Sequence, residues 1–196
     1  SDTITCSVQL DRNLLLFGKR QQYAVPGREA MTPRNAYIAT QSAHEDAIDA
    51  PPVASGNLIF FSQQRSNRLT VHQMMTGAYA DSFESFDVTQ QLDGYMLGTP
   101  RQIVAMTAPT QLFIRTKELT NGVYVFSYLD ALGSEQRLFD SWSRWTWNPN
   151  LGTLVGITSH DGNLLTVTAR QAPDGVYLVL DRFVRERSEE HTSELQ

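Results

Sequence analysis

Gln111-Leu-Phe-Ile-Arg115 and Val123-Tyr-Val-Phe-Ser-Tyr128, with Thr120-Asn-Gly122 between them, decide the fold class. The second stretch alternates β-branched and aromatic side chains, the two kinds that pack best on a pleated surface. Asn-Gly supplies the positive φ angles that a tight hairpin needs. The same pattern runs outward in both directions. Asn57-Leu-Ile-Phe-Phe61 and Leu69-Thr-Val-His-Gln73 flank a polar tip, Gln63-Gln-Arg-Ser-Asn-Arg68, and read as a hairpin. Residues 13–17 lead into 23–25, and 101–106 precede Ala108-Pro-Thr110. Residues 153–158, 164–168 and 176–180 are separated by His160-Asp-Gly-Asn163 and Pro173-Asp-Gly175. The helical signal is weak and is confined to residues 43–50, which end at Pro51-Pro52. The expectation is an all-β chain with little helix. Asn-Leu opens an apolar run at Asn13, Asn57 and Asn163, a spacing of 44 and then 106 residues. Blades of four short strands repeat at roughly 40–50 residues. The reading is a partial β-propeller-like array of antiparallel blades, about four blade-sized units long. An incomplete ring leaves unpaired faces or edges, and the chain is therefore expected to be poorly soluble or to aggregate.

With 196 residues, 41% hydrophobic and 19% charged, the chain has ordinary globular composition. A net charge of -5 argues against a protein that grips nucleic acid through phosphates. Of its 16 basic residues only Lys19 and Lys117 are lysines. Arginine suits interfaces, because its flat fork bonds bidentately and is weakly hydrated. Cys6 is the single cysteine, so an intrachain disulfide is excluded and an inert thiol is expected. No apolar run approaches the ~20 residues of a membrane-spanning helix. The first residue is not Met, and the last ten, Arg187 to Gln196, look like the in-frame translation of a sequencing adapter. The expectation is that residues 1–186 form the propeller-like part of a larger protein and residues 187–196 are a non-native tail.

Candidate chemistry is sparse. His160 beside Asp161 lies in a turn whose Asp, Gly and Asn have backbone reasons to be there. His44-Glu-Asp46 with Asp49 offers oxygen ligands but lacks the spacing of a calcium loop. His72 reads as an ordinary strand residue. No nucleophile elbow, phosphate loop, HExxH or dinucleotide fingerprint occurs. Catalytic, metal and cofactor sites are therefore expected to be absent. The most unusual patch is Trp142-Ser-Arg-Trp-Thr-Trp147. Its rings either wedge between sheets, the preferred reading, or stack on sugars or bases with help from Arg144. The second option makes a glycan-binding or glycan-hydrolysing propeller the alternative. It requires exposed, coplanar rings at Trp142, Trp145 and Trp147, or two carboxylates in one cleft.

Several motifs, in order, resemble a known family. Leu14-Leu-Leu-Phe17, Arg20-Gln-Gln-Tyr-Ala-Val25 and Met31-Thr-Pro-Arg-Asn35 come first, followed by Gly56-Asn-Leu-Ile-Phe-Phe61 and Phe86-Asp-Val-Thr89. Val123-Tyr-Val-Phe-Ser-Tyr128 and Ser141-Trp-Ser-Arg-Trp-Thr-Trp147 complete the series. Together they are similar to the tail tubular protein B, or tail nozzle, family of short-tailed bacteriophages. The resemblance spans residues 10–183 and singles out Arg20, Tyr23, Thr32, Pro33, Asp87, Thr89, Trp142, Arg144 and Trp145 as structural signature positions. It implies a non-enzymatic virion protein with a propeller-like body. Six copies would form the distal DNA-exit nozzle, below an adaptor ring of tail tubular protein A and carrying tail fibres. DNA would pass through without sequence-specific binding, there would be no membrane anchor, and assembly would occur in the host cytoplasm. An acidic or neutral lining and a single cysteine suit that role.

Overall fold

The structure is a computed structural model that describes residues 1–10, 12–27, 32, 39–42, 50–76, 83–92, 94–133 and 136–183. The described residues are all-β apart from one 3-10 turn at Pro149–Leu151. Four antiparallel sheets follow one another along the chain, each a simple up-and-down meander. The first contains β1 (Ile4–Leu10), β2 (Asn13–Gly18), β3 (Gln22–Pro26) and β4 (Ala39–Ser42). The second contains β5 (Val53–Ser55), β6 (Leu58–Arg65), β7 (Arg68–Thr76) and β8 (Phe83–Asp87). The third contains β9 (Pro100–Thr107), β10 (Thr110–Thr116), β11 (Gly122–Asp130) and β12 (Arg137–Thr146). The fourth contains β13 (Thr153–His160), β14 (Asn163–Ala172) and β15 (Gly175–Phe183).

Alternation along the strands explains how these sheets stack. On β6, Leu58 and Phe60 join a core shared with Ile103, Leu112, Ile114, Tyr124 and Phe126 of the third sheet. Ile59 and Phe61, which point the other way, join Leu15, Phe17 and Ala24 of the first. The third sheet divides its strands likewise. Leu112 and Ile114 face the second sheet, whereas Phe113, Val123 and Val125 meet Leu154, Ile157 and Leu164 of the fourth. Each inner sheet is thus buried on both faces, which is why its strands read as continuous apolar runs. Aromatic pairs bridge successive sheets: Phe17 and Phe61 lie 5.3 Å apart, and Phe60 and Tyr128 5.5 Å. Burying one such ring contributes roughly 2–3 kcal/mol.

The first strands of consecutive sheets touch, β1 against β5, β5 against β9 and β9 against β13. The sheets are thus joined along their first strands, and the first two also meet at their last, β4 against β8. The Asn-Leu rhythm marks this architecture. Asn13 and Asn163 begin, and Asn57 immediately precedes, the second strand of the first, fourth and second sheets. In the third sheet Thr110 begins the equivalent strand, so the 106-residue gap holds two units.

Local chemistry accounts for the turns. Asp161 (φ 48°) and Gly162 (φ 71°) form a two-residue hairpin turn, and the β14 strand starts directly after it. Gly122 is required for a different reason: a side chain there would run into the Trp145 carbonyl of β12. The 57–73 hairpin is tighter than the sequence suggested. Its strands run on to Arg65 and start again at Arg68, leaving Ser66 and Asn67 as the whole tip. Of the 43–50 helix candidate only Ala50 is described; His44, Glu45, Asp46 and Asp49 lie outside the described residues, as do Pro33 and the 187–196 tail.

Candidate functional site

Of the signature residues, Asp87, Thr89, Trp142 and Trp145 lie at joints between sheets. β8 ends at Asp87, whose carboxylate turns back to accept hydrogen bonds from the Thr89 backbone N–H (2.8 Å) and hydroxyl. Thr89, 1% exposed, also accepts a bond from the Val71 N–H (3.3 Å). Val88 donates its N–H to the Val71 carbonyl (3.0 Å), extending the pairing with β7 past the end of β8. That turn leaves the Val88 carbonyl free to accept the indole N–H of Trp142 at 3.0 Å. The Trp142 ring stacks on Phe126 with centroids 4.7 Å apart and 27° between planes. Asp87, Thr89 and Trp142 are thus one latch joining the second sheet to the outermost strand of the third.

Trp145 projects from the other face of β12. It meets Phe113 edge-on at 5.5 Å and packs into the core shared with the fourth sheet. Trp147 continues this side and lies 5.2 Å from Phe183. Arg144, between the two signature tryptophans, is exposed. The three indoles are therefore half-buried on opposite faces of one strand, and form no coplanar stacking platform.

Arg20 and Tyr23 belong to a third joint, built around Asp2. The Asp2 carboxylate accepts from the backbone N–H groups of Thr3, Arg20 and Gln21 and from the Tyr23 hydroxyl (3.1 Å). It thereby fastens the chain ahead of β1 to the β2–β3 turn. Desolvation pushes the Asp2 carboxyl upward, but the four donors outweigh it and hold it below its ordinary value. Desolvation, together with that same carboxylate, pushes the Tyr23 phenol up. Thr32 is exposed.

Two further joints carry no sequence motif. Gln102 on β9 pairs its side-chain amide with the backbone of Ile157 on β13, donating at 2.6 Å and accepting at 3.0 Å. The amide acts there as a peptide unit would, tying two first strands together. Ser159 adds a bond to the Ala105 carbonyl at 2.9 Å. Arg137 on β12 donates to Gln73 of the second sheet at 2.6 Å and pairs with Asp130. Its guanidinium lies 4.5 Å from the Tyr128 ring centroid. Desolvation raises the Tyr128 phenol above its usual value, although its hydroxyl bonds Ser55 at 2.7 Å.

Beside Arg137 lies a cavity of about 460 Å³ lined by Asn57, Gln73, Met75, Asp130 and Leu132. Among the described residues its one lining carboxylate is Asp130, which pairs with Arg137. His160 and Asp161 form an exposed contact of 3.1 Å within their turn. His72 is buried in the second sheet, stacked 5.3 Å from Phe61. Among the described residues no three His, Cys, Asp or Glu side chains gather as metal ligands would, and no helix is long and apolar enough to cross a membrane.

The family described as "Bacteriophage nozzle protein" matches residues 2–195, nearly the whole chain. Among curated proteins none matches. Membership places the chain among the structural proteins of the phage tail, and the glycan reading gains no support from it or from the geometry of the tryptophans. On this match, the chain belongs to the bacteriophage nozzle protein family.

Proposed function

We propose that this chain is a non-catalytic wall element of a ring-shaped tail nozzle, in which six copies enclose the distal DNA-exit channel. The observation that carries the reading is the serial stack. Four sheets cover one another face to face, their first strands lie side by side, and each junction is fastened by a polar or aromatic joint. Such a stack supports reading the four sheets as propeller-like blades. It suits a rigid shell better than a reactive cleft, because the chemistry of a cleft would need convergent titratable groups. The net charge of -5 supports passage of DNA without retention, since many phosphate contacts would hold the duplex. The ring would dock on the tail adaptor, tail tubular protein A, carry tail fibres, and assemble in the host cytoplasm.

The test is assembly. The protein is produced together with its adaptor and imaged by electron microscopy. A closed ring with a central channel, seated on the adaptor, is the expected outcome. A monomer that ignores the adaptor would overturn the proposal.

A further inference from the structure

Asn121-Gly122 is the only Asn-Gly pair in the chain, and the third sheet has a use for both members. Gly122 opens β11, where any side chain would collide with the Trp145 carbonyl of β12. Asn121 is half-buried, and its side-chain Nδ2 donates to the Trp147 carbonyl at 2.6 Å. Its own backbone carbonyl accepts the Trp147 N–H at 3.0 Å. The neighbouring Thr120 carbonyl accepts the Leu154 N–H at 2.7 Å. Trp147 and Leu154 bracket the crossover that carries the chain from β12 to β13. Two residues of the β10–β11 turn therefore clasp both ends of the link between the third and fourth sheets. The clasp depends on a donor at position 121. A carboxylate there would set acceptor oxygens against each other.

Asn-Gly is also a dipeptide open to attack from within, because no side chain shields the glycine nitrogen. The Gly122 nitrogen gives up its proton to solvent base and bonds to the carbonyl carbon of the Asn121 side chain. The bond from that carbon to Nδ2 breaks, and Nδ2 leaves as ammonia. Water then opens the cyclic imide at either carbonyl, giving aspartate or isoaspartate. The attack needs the amide free to swing toward the nitrogen. In the closed clasp that amide is held by Trp147.

We propose that Asn121 is a deamidation site gated by the joint between the third and fourth sheets. Each opening of the joint releases the amide to attack. The acidic product lacks the hydrogen that would close the clasp again. The conversion runs one way, so it accumulates as a record of opening. It is slow while the joint is shut, since only the open fraction reacts. The site is built from the third sheet and the crossover to the fourth, and it is independent of the nozzle ring.

The test incubates the whole 196-residue chain at mildly alkaline pH and follows position 121 by mass spectrometry, with the aspartate and isoaspartate peptides separated by chromatography. The folded chain should convert at least about tenfold more slowly than the chain unfolded in urea at the same pH. Gln102→Leu strips the bonds to the Ile157 backbone and should move the folded rate toward the unfolded one. Leu15→Ala truncates the core between the first and second sheets and should leave the rate unchanged. Asn121→Asp gives a readout that does not depend on the reaction. Hydrogen exchange at the Trp147 and Leu154 amides should quicken about tenfold, as expected when a bond is lost and its acceptor is left unpaired. A folded rate equal to the unfolded one, an equal acceleration by Leu15→Ala and Gln102→Leu, or unchanged exchange in Asn121→Asp would each overturn the proposal.

Discussion

If the Asp87-Val88-Thr89 turn exists to aim one carbonyl at Trp142, then the turn and the indole should be energetically coupled. Trp142→Phe keeps a ring on Phe126 but removes the N–H that reaches the Val88 carbonyl at 3.0 Å. The lost bond costs about 1 kcal/mol. The narrower ring gives up roughly 40 Å² of apolar contact, about another 1 kcal/mol. Thr89→Val removes the hydroxyl that accepts from Val71 and donates to Asp87, for a further 1–2 kcal/mol or so. The two changes act on the same carbonyl, so the double variant should cost about 0.5–1 kcal/mol less than the two singles together. Urea unfolding followed by far-UV circular dichroism, with midpoint and slope fitted for all four proteins, measures this cycle. Costs that add to within about 0.3 kcal/mol would refute the latch. So would a Trp142→Phe penalty below about 0.5 kcal/mol, the behaviour of a ring lying free on the surface.

Other joints give further expectations. The Asp2 carboxyl is held below its ordinary value, so its contribution is complete above the unfolded-state pKa, near 3.8, and is lost as pH falls through the lower folded value. Hydrogen exchange at the Arg20 and Gln21 amides should accelerate in that acid range, and in Asp2→Asn this pH dependence should vanish. Gln102→Leu strips both bonds from the Ile157 backbone and should cost about 2–3 kcal/mol, with faster exchange at the Ile157 amide. Tyr128, raised by desolvation, should ionise only above the usual phenol range in an ultraviolet titration. Tyr128→Phe should shrink that late step, to which Tyr23 also contributes, and, through the orphaned Ser55 hydroxyl, cost about 1 kcal/mol in the urea midpoint.

The fold class was open to view wherever turn chemistry and apolar runs coincided, as at Asp161-Gly162; Asn121-Gly122 marked a strand break, but neither residue takes the positive φ expected there. The Asn-Leu positions pointed to the repeat because the second strand of a meander is flanked on both sides and must be apolar. Strands at the margins were harder to see. Ile4–Leu10 alternates Ile4, Cys6, Val8 and Leu10 with polar residues, yet thiol and hydroxyl neighbours dilute the pattern. Val53–Ser55 is too short to show any period. Trp142–Trp147 reads as a strand with its rings wedged between sheets, whereas the first half of β12, from Arg137, gives no such signal. Its tryptophans face opposite sheets, a fact that period-2 spacing gives for Trp142 against Trp145 once a strand is assumed. Gln102 and Arg137 left no trace, since a polar residue that bonds across sheets looks like any surface residue until the partner strand is in place. Asp2 was equally silent: its four donors come from residues far along the chain or from the backbone.

The two-faced character of the inner sheets has a consequence for how the molecule comes apart. The second and third sheets each own two interfaces, and the first and fourth own one. In such a row, stability is a sum of nearest-neighbour couplings, and the end members are the cheapest to release. Unfolding should therefore peel inward from the termini, with β6, β10 and β11 the last to lose protection. A force applied between the two end sheets would load the three junctions in series. The weakest joint, not the average, would set what the wall can bear.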